Sequence, residues 1–332
     1  MGWMIVAAAV VVAVLAANAR VVYADREISW ELEAQQAKWK SELRNTEPSS
    51  CPPGDDDCEG PEGSVKFLVD ASGELKIEYE FETETGVLET ETQIRFRPQE
   101  LIEFVDTDGN GKLSSGEWRY NTTLKDDGWR DLMCVAPAVG ATIKKYTCDA
   151  VHTTLDLTFR FTLTNVPIAL NITGTTPVNP AVMKVDMLLH NFPYRVSGPS
   201  RLALVTRATA KTTQEPRDDD SGSGTEEEVV AFGKVGVFAW VKKASNGNAS
   251  VPIFSSPVVL KDNVGDEGEY DITFSFGADK PSHLVWDPQL GASSNPMAGI
   301  TTSAAGTSVP TTSVAAAVAV AAVVALCMAT LA

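Results

Sequence analysis

Residues 155–163 read Leu-Asp-Leu-Thr-Phe-Arg-Phe-Thr-Leu, a strict alternation of apolar and polar side chains. Successive side chains of a β-strand point to opposite faces, so this stretch predicts a strand with one buried and one solvated face. The same period of two recurs at residues 183–190 and 272–276. About a dozen segments of this kind, separated by turn signals, predict a mainly β protein with an antiparallel β-sandwich or jelly-roll-like domain over residues 64–290.

Residues 25–47 do not follow this pattern. Apolar residues there recur at helical spacing, namely Ile28, Leu32, Trp39 and Leu43. No Gly or Pro interrupts the run from residue 27 to residue 43. The spacing predicts an amphipathic N-terminal helix, followed by a Pro- and Gly-rich linker at residues 48–63.

Composition and charge limit the classes of partner. The chain has 332 residues and is 44% hydrophobic, which is enough to form a sizeable core. It carries 44 Asp plus Glu against 27 Lys plus Arg, a formal net charge of -17. This acidic excess argues against a nucleic-acid partner, because phosphate backbones require a surplus of cations, and it favours cations as ligands.

The N-terminal segment, residues 1–24, predicts a secretory signal peptide. Residues 4–16 are an unbroken apolar run of the right length, and small residues follow it. Cleavage after Ala19 and cleavage after Ala24 both fit, and the second is favoured. Because the first three residues lack a basic side chain, an uncleaved signal anchor stays open as the alternative.

The C-terminal residues 314–332 are uniformly apolar and are not followed by a basic cluster. Small residues at 303–305 and a polar spacer at 306–313 precede them, within a Ser/Thr/Ala-rich stalk at residues 291–313. This order predicts a GPI-attachment signal with Ser303 as the lipid attachment site and Ser293 or Ser294 as alternatives. A single spanning helix is the competing interpretation. Both place the chain in the secretory pathway and at the outer face of the plasma membrane.

Cysteines and sequons agree with export. An even set, Cys51, Cys58, Cys134 and Cys148, predicts disulfides, with three pairings open and neighbours in the chain favoured. A zinc site is the weaker interpretation, because His152, His190 and His283 are scattered. Three sequons predict glycosylation, at Asn121, Asn171 and Asn248. The acidic, Gly-rich segment at residues 216–228 predicts a solvated loop.

The motif that carries chemistry is residues 106–117, Asp-Thr-Asp-Gly-Asn-Gly-Lys-Leu-Ser-Ser-Gly-Glu. Oxygen donors recur along it at the spacing that wraps a hard cation, which wants about six to eight oxygens. The expected calcium ligands are the side chains of Asp106, Asp108, Asn110, Ser114 and Glu117 and the backbone carbonyl of Lys112. Gly111 lies at the sharp bend, and Leu113 is expected to pack inward.

These twelve residues and their immediate flanks resemble the EF-hand calcium loop. The resemblance implies Ca²⁺ as the bound ion, and apolar residues from Pro98 to Val105 suit a short entering helix. The exiting side, which soon reaches the sequon at Asn121, contains poor helix formers. The chain has no second such loop, whereas calcium sensors use pairs, so a structural site of roughly 10⁻⁴ to 10⁻³ M affinity is expected.

No signature of an enzyme stands out in the sequence. The predicted function is a calcium-binding, membrane-tethered cell-surface glycoprotein that serves adhesion, matrix organisation or the binding of an extracellular glycan or protein ligand. The alternative is a surface-tethered carbohydrate-active enzyme on a jelly-roll scaffold, because the separation of paired carboxylates is a property of the structure. A concave groove with facing carboxylates and aromatic side chains would favour that alternative.

Overall fold

The computed structural model describes residues 28–44, 62–85, 88–125, 128–165, 182–211, 217–218, 227–232, 236–256, 259–264 and 267–292. Several predictions lie outside these residues: the signal peptide, Cys51, Cys58, Asn171, most of the acidic loop, Ser303 and the apolar C-terminal segment. Within the described residues, no helix is long and apolar enough to cross a membrane.

The regular elements of the described residues are twenty β-strands. In chain order they are β1 (Ile28–Leu32), β2 (Gln36–Arg44), β3 (Glu62–Asp70), β4 (Lys76–Thr85), β5 (Leu88–Phe104), β6 (Arg119–Thr123), β7 (Met133–Val135), β8 (Lys145–Val151), β9 (Leu157–Thr164), β10 (Val182–His190), β11 (Arg201–Lys211), β12 (Arg217–Asp218), β13 (Glu227–Phe232), β14 (Gly236–Val241), β15 (Lys243–Asn246), β16 (Ala249–Ser255), β17 (Val259–Val264), β18 (Glu267–Phe276), β19 (His283–Trp286) and β20 (Gln289–Ala292). The prediction of a mainly β protein is confirmed.

The strands pair antiparallel in two sheets. The first sheet runs β1, β2, β3, β4, β5, β11, β18, with β6 beside the end of β5 and with β16 and β17 along the outer edge of β18. The second runs β7, β8, β9, β10, whose far edge pairs with β19 and β20. From there it continues through β15 and through β14, β13 and β12. Because β16 pairs with both β15 and β18, it joins the two sheets.

Aromatic side chains from both sheets meet in the core. Phe96 of β5 stacks on Phe238 of β14, with ring centroids 4.5 Å apart. Phe274 of β18 lies 4.6 Å from Trp286 of β19. Each aromatic side chain removes a large apolar area from water, at about 25 cal/mol per Å², so this contact between the sheets is a main source of stability. The expected sandwich-like arrangement is confirmed.

The predicted N-terminal helix is wrong. Residues 28–32 and 36–44 form the hairpin of β1 and β2, and β2 pairs along its whole length with β3. Of the four residues taken for one helical face, Ile28 and Trp39 are buried but Leu32 is 46% exposed. The residues between the two strands turn through a hydrogen bond from Glu33 N to Gln36 O. Sheet pairing and the burial of Trp39 therefore override the helix preference of the Glu, Ala, Gln and Lys residues here.

Candidate metal centre

The calcium-loop motif joins β5 to β6. Val105 N donates a hydrogen bond to Trp118 O, and Phe104 pairs directly with Arg119. The motif therefore closes a hairpin, and the entering helix that the resemblance to an EF-hand suggested is wrong. Ile102 and Phe104 are buried and pair directly with Ala203 and Arg201 of β11, which fixes this segment as a strand.

Three carboxylates of the motif converge at one point. One oxygen from each of Asp106, Asp108 and Glu117 lies within 4.8 Å of the other two. Glu117 is buried, and its two oxygens accept hydrogen bonds from Thr107 N at 2.9 Å and Ser114 N at 2.8 Å. Each carboxylate oxygen has two lone pairs, so these bonds leave acceptor capacity for an ion.

Asp106 provides the strongest test of whether an ion fits. Its side chain is 4% exposed, and its Oδ2 accepts Gly111 N at 3.1 Å and contacts Nη1 of Arg201 at 2.8 Å. Its Oδ1 is buried and accepts no hydrogen bond from the described residues. A buried oxygen without a partner is costly, and a cation held with Asp108 and Glu117 would satisfy it. The residues present therefore fit a calcium ion.

The remaining predicted ligands lie in the same loop, with different orientations. Ser114 Oγ is 3.3 Å from Asp108 Oδ2 and 3.5 Å from the carbonyl oxygen of Lys112. Asn110 donates from its amide nitrogen to Asp108 Oδ2 and Ser114 Oγ, while its Oδ1 accepts Lys112 N at 2.6 Å. Asn110 must therefore rotate its amide before its oxygen can serve as a ligand.

The loop is fastened to the body of the sandwich. Gly111 has φ of 80°, and a Cβ at this position would lie 2.5 Å from the ring of Phe254 on β16. Leu113 packs on a small cluster of Ile102, Phe104 and Ala203, as its expected inward packing requires. Leu113 N also donates to Ser275 Oγ of β18 at 3.0 Å. These contacts hold the loop against three strands that are distant in the chain.

Two residues that sequence reasoning missed, Glu103 and Arg201, support the loop. The buried carboxylate of Glu103 accepts hydrogen bonds from Arg195 N, Val196 N and Ser200 Oγ at 2.7, 3.1 and 2.6 Å. These bonds fix the segment that leads into Arg201, whose backbone pairs opposite Phe104. Their partners are more than 90 residues away, so no local pattern could have revealed them.

The disulfide and glycosylation predictions have different outcomes. Cys134 and Cys148 form a disulfide between directly opposed positions of β7 and β8, so this pairing is confirmed. Asn121 is exposed on β6, where its Nδ2 donates to Glu100 at 3.0 Å. Asn248 is exposed in the turn between β15 and β16. The second cysteine pair and the third sequon lie outside the described residues, and glycosylation itself stays a prediction.

A second group of carboxylates lies in the other sheet, around Lys184 of β10. Lys184, Asp186 and Asp287 are all buried. Nζ of Lys184 lies 2.7 Å from Asp186 Oδ1, as an ion pair without hydrogen-bond geometry, and 3.5 Å from Asp287 Oδ2. Burial raises the pKa of Asp287 to about 7; Lys184 opposes this rise and Asp186 adds to it.

A third group lines a cleft of about 460 Å³ on the face of β1 to β4 opposite the core. Its walls include Lys38, Lys66, Glu78 and Glu80. Lys66 Nζ lies 3.0 Å from Glu80 and 2.9 Å from Glu82. Burial raises the pKa of Glu80, whereas the hydrogen bond with Glu80 lowers the pKa of Glu82. The two carboxyl groups therefore have different environments.

The three histidines are far apart in the sequence, but two of them lie close together in the structure. His152 is buried, lies edge-on to Trp129 and accepts hydrogen bonds from Thr154 N and Leu155 N at Nδ1. Burial lowers its pKa, and these contacts give it a structural role in the segment between β8 and β9. His190 and His283, in contrast, lie side by side on paired strands.

The loop between β5 and β6 is thus the best candidate for a functional site. It brings together oxygen donors only, it holds three carboxylates within reach of one ion, and one buried carboxylate oxygen lacks a hydrogen bond from the described residues. Comparison with protein-family models and with curated proteins finds no match for this chain.

Proposed function

We propose that this protein is a calcium-binding, membrane-tethered cell-surface glycoprotein in which Ca²⁺ has a structural role. Two observations on Asp106 carry the proposal: its buried Oδ1 lacks a hydrogen bond from the described residues, and one of its carboxylate oxygens lies within 4.8 Å of an oxygen of Asp108 and of Glu117. Calcium is favoured because it accepts six to eight oxygen ligands at ~2.3 to 2.6 Å in flexible geometry. Magnesium demands near-ideal octahedral geometry, which this mixed set suits less well.

A structural role follows from how the loop is held. Contacts of Gly111 with Phe254, and of Leu113 with Ser275, fasten it to strands β16 and β18. Sensors respond to calcium by changing the angle between paired helices. Here strands flank the loop on both sides, so the bound ion stabilises the hairpin of β5 and β6 against the sheet and does not open a groove.

The surface location is supported by agreement between separate features. The chain has apolar segments at both ends that match a signal peptide and a lipid-attachment signal. The Cys134–Cys148 disulfide suits an oxidising compartment. Asn121 and Asn248 are exposed, as glycan acceptors must be. Such a protein would serve adhesion, matrix organisation or the binding of an extracellular ligand through the faces of its sandwich.

Isothermal titration with calcium tests this proposal. Wild-type protein is expected to bind one ion with a dissociation constant of roughly 10⁻⁴ to 10⁻³ M. Glu117→Gln should abolish the heat of binding, because it removes a carboxylate that would hold the ion with both oxygens. Glu31→Gln is the matched control, since Glu31 is exposed on β1 and loses the same charge. Silence of the wild-type protein at millimolar calcium would exclude the proposal.

A second candidate function, carbohydrate binding, is favoured by the cleft over β1 to β4. It is lined by charged side chains that can form hydrogen bonds with hydroxyl groups, among them Lys66, Glu78 and Glu80. Glu80 and Glu82 share a hydrogen bond and both contact Lys66, so they lie closer together than the ~5 to 9.5 Å that separates the two carboxyl groups of a glycoside hydrolase, and this pair suits binding better than hydrolysis. A glycan-array screen of wild-type protein and Glu80→Gln, with and without a chelator, tests this candidate independently of the calcium loop.

A further inference from the structure

His190 and His283 form a cross-strand pair at one end of the second sheet. His190 is the last residue of β10, His283 is the first residue of β19, and the two are directly paired in the sheet register. Their ring centroids are 4.1 Å apart, with an angle of 59° between the ring planes. Cβ atoms of directly opposed residues in antiparallel strands lie about 4.5 to 5.5 Å apart, which brings two imidazoles within reach of one ion.

The backbone on both sides of this pair is fixed. His190 N donates to Asp156 O at 2.8 Å, and Asn191 N donates to Ser282 O at 3.0 Å. His283 N donates to Asn246 Oδ1 at 3.0 Å. The two Cα positions are therefore set by the sheet and its adjoining turns, and only side-chain rotation is needed to direct one ring nitrogen from each residue at a common point.

The surroundings favour a cation. His283 is exposed and His190 is half-buried, so the pair is open to solvent on one side. The carboxylate of Asp156 lies in the adjoining turn, where its Oδ2 accepts Asn191 Nδ2 at 3.4 Å. Imidazole nitrogen is a common metal ligand, and two rings this close can share one ion. The net charge of -17 also favours cations over the whole chain.

The geometry points to a site for a first-row transition-metal dication, with His190 and His283 as its two protein ligands. Imidazole nitrogen suits Cu²⁺ and Zn²⁺, and the general order of affinity places Cu²⁺ highest. Metal–nitrogen bonds of about 2.0 to 2.1 Å need the two ring nitrogens about 3 Å apart, a spacing that rings in contact reach by rotation. The site is chemically distinct from the calcium loop, whose ligands are all oxygen. Water completes the coordination.

Copper binding by the full chain, with the calcium loop saturated by Ca²⁺, tests this site. Wild-type protein is expected to take up one Cu²⁺, and the electron paramagnetic resonance spectrum should show coupling to two nitrogens. His283→Gln and His190→Gln should each abolish the uptake of this one Cu²⁺ and the spectral coupling to two nitrogens. Asn248→Gln, an exposed position in a neighbouring turn, is the control that should change neither.

Folding of each variant is checked by circular dichroism and thermal unfolding. If His190→Gln misfolds, the result for His283→Gln decides the test. His283 is exposed, so its substitution should leave the fold intact. Absence of stoichiometric copper uptake by folded wild-type protein would overturn the site. So would uptake that persists unchanged in His283→Gln, since it would place the copper on other groups. Neither result bears on calcium binding at Glu117.

Discussion

The carboxylates around Lys184 and those of the loop between β5 and β6 both need a nearby positive charge, and they differ in where that charge comes from. In the first group, Asp186 and Asp287 are buried beside a lysine that the chain itself supplies. In the second, three carboxylates converge, and the cation that contacts them, Arg201, reaches only Oδ2 of Asp106. The Lys184 group also contains buried carboxylate oxygens without a hydrogen bond from the described residues, Oδ1 of Asp186 and of Asp287, but it holds its own cation and has only two carboxylates. The loop gathers three carboxylates within reach of one ion, which suits an ion from solution. Four predictions test this contrast.

The largest effect is expected from Lys184→Met. This substitution leaves Asp186 and Asp287 buried without their cation, and breaking a buried pair in this way costs about 3 to 5 kcal/mol. The loss should appear in urea unfolding at pH 7 and should be the same with and without calcium. Lys40→Met is the matched control, because Lys40 is exposed and its ion pair with Glu42 is exposed as well. Its loss of unfolding free energy should stay within about 0.5 kcal/mol. Equal losses of unfolding free energy for Lys184→Met and Lys40→Met would contradict the structural role of the Lys184 group.

The pH dependence of stability should separate Asp287 from ordinary carboxylates. Its pKa is raised from 3.8 to about 7 in the folded protein, so between these values the native state holds a proton that the unfolded state releases. Its contribution to the free energy of unfolding therefore falls as pH rises from about 4 to 7 and is flat above that. The fall is at most about 4 kcal/mol, since each pKa unit is worth ~1.4 kcal/mol.

Urea unfolding across this pH range measures the effect. Asp287→Asn should remove the fall, while Asp131→Asn, at an exposed position, should keep it. Lys184 and Asp186 face the same carboxyl group, and their charges are retained in both variants. Parallel profiles for wild-type protein and Asp287→Asn would show that Asp287 is ionised in the folded protein.

The sequence predicts those features of the fold and the site that depend on residues close together in the chain. The alternation at residues 155–163 predicts β9 because a strand's period is visible in neighbouring residues. The ligands of the calcium loop are predicted for the same reason, since all of them lie within twelve residues. The hairpin of β1 and β2 has apolar residues at helical spacing, yet it forms strands because β2 pairs with β3 and Trp39 is buried.

Contacts between distant parts of the chain could not be predicted. Arg201 reaches Asp106 from the start of β11, and Glu103 holds the segment that leads into this strand. His190 and His283 looked scattered in the sequence, yet the sheet register places them side by side. Sequence patterns therefore predict the candidate metal ligands but not the charges and strands that surround them.

A smaller effect is expected from Arg201→Gln. The guanidinium lies 2.8 Å from Oδ2 of Asp106 and repels an arriving cation, although the group is partly exposed and the repulsion is screened. Its removal should tighten calcium binding by up to about tenfold, or ~1.4 kcal/mol. Isothermal titration measures the change, with Arg130→Gln, at an exposed arginine, as the control. Weaker calcium binding by Arg201→Gln would instead assign Arg201 the task of orienting Asp106.

The most direct test of the central claim is an anomalous-difference map from crystals of this protein grown with calcium. We predict one peak among Asp106, Asp108 and Glu117, within ~2.3 to 2.6 Å of their oxygens and in contact with Oδ1 of Asp106. The amide oxygen of Asn110 should then point toward the peak. A map without a peak at the loop, with Oδ1 of Asp106 still unpaired beside Arg201, would contradict the account.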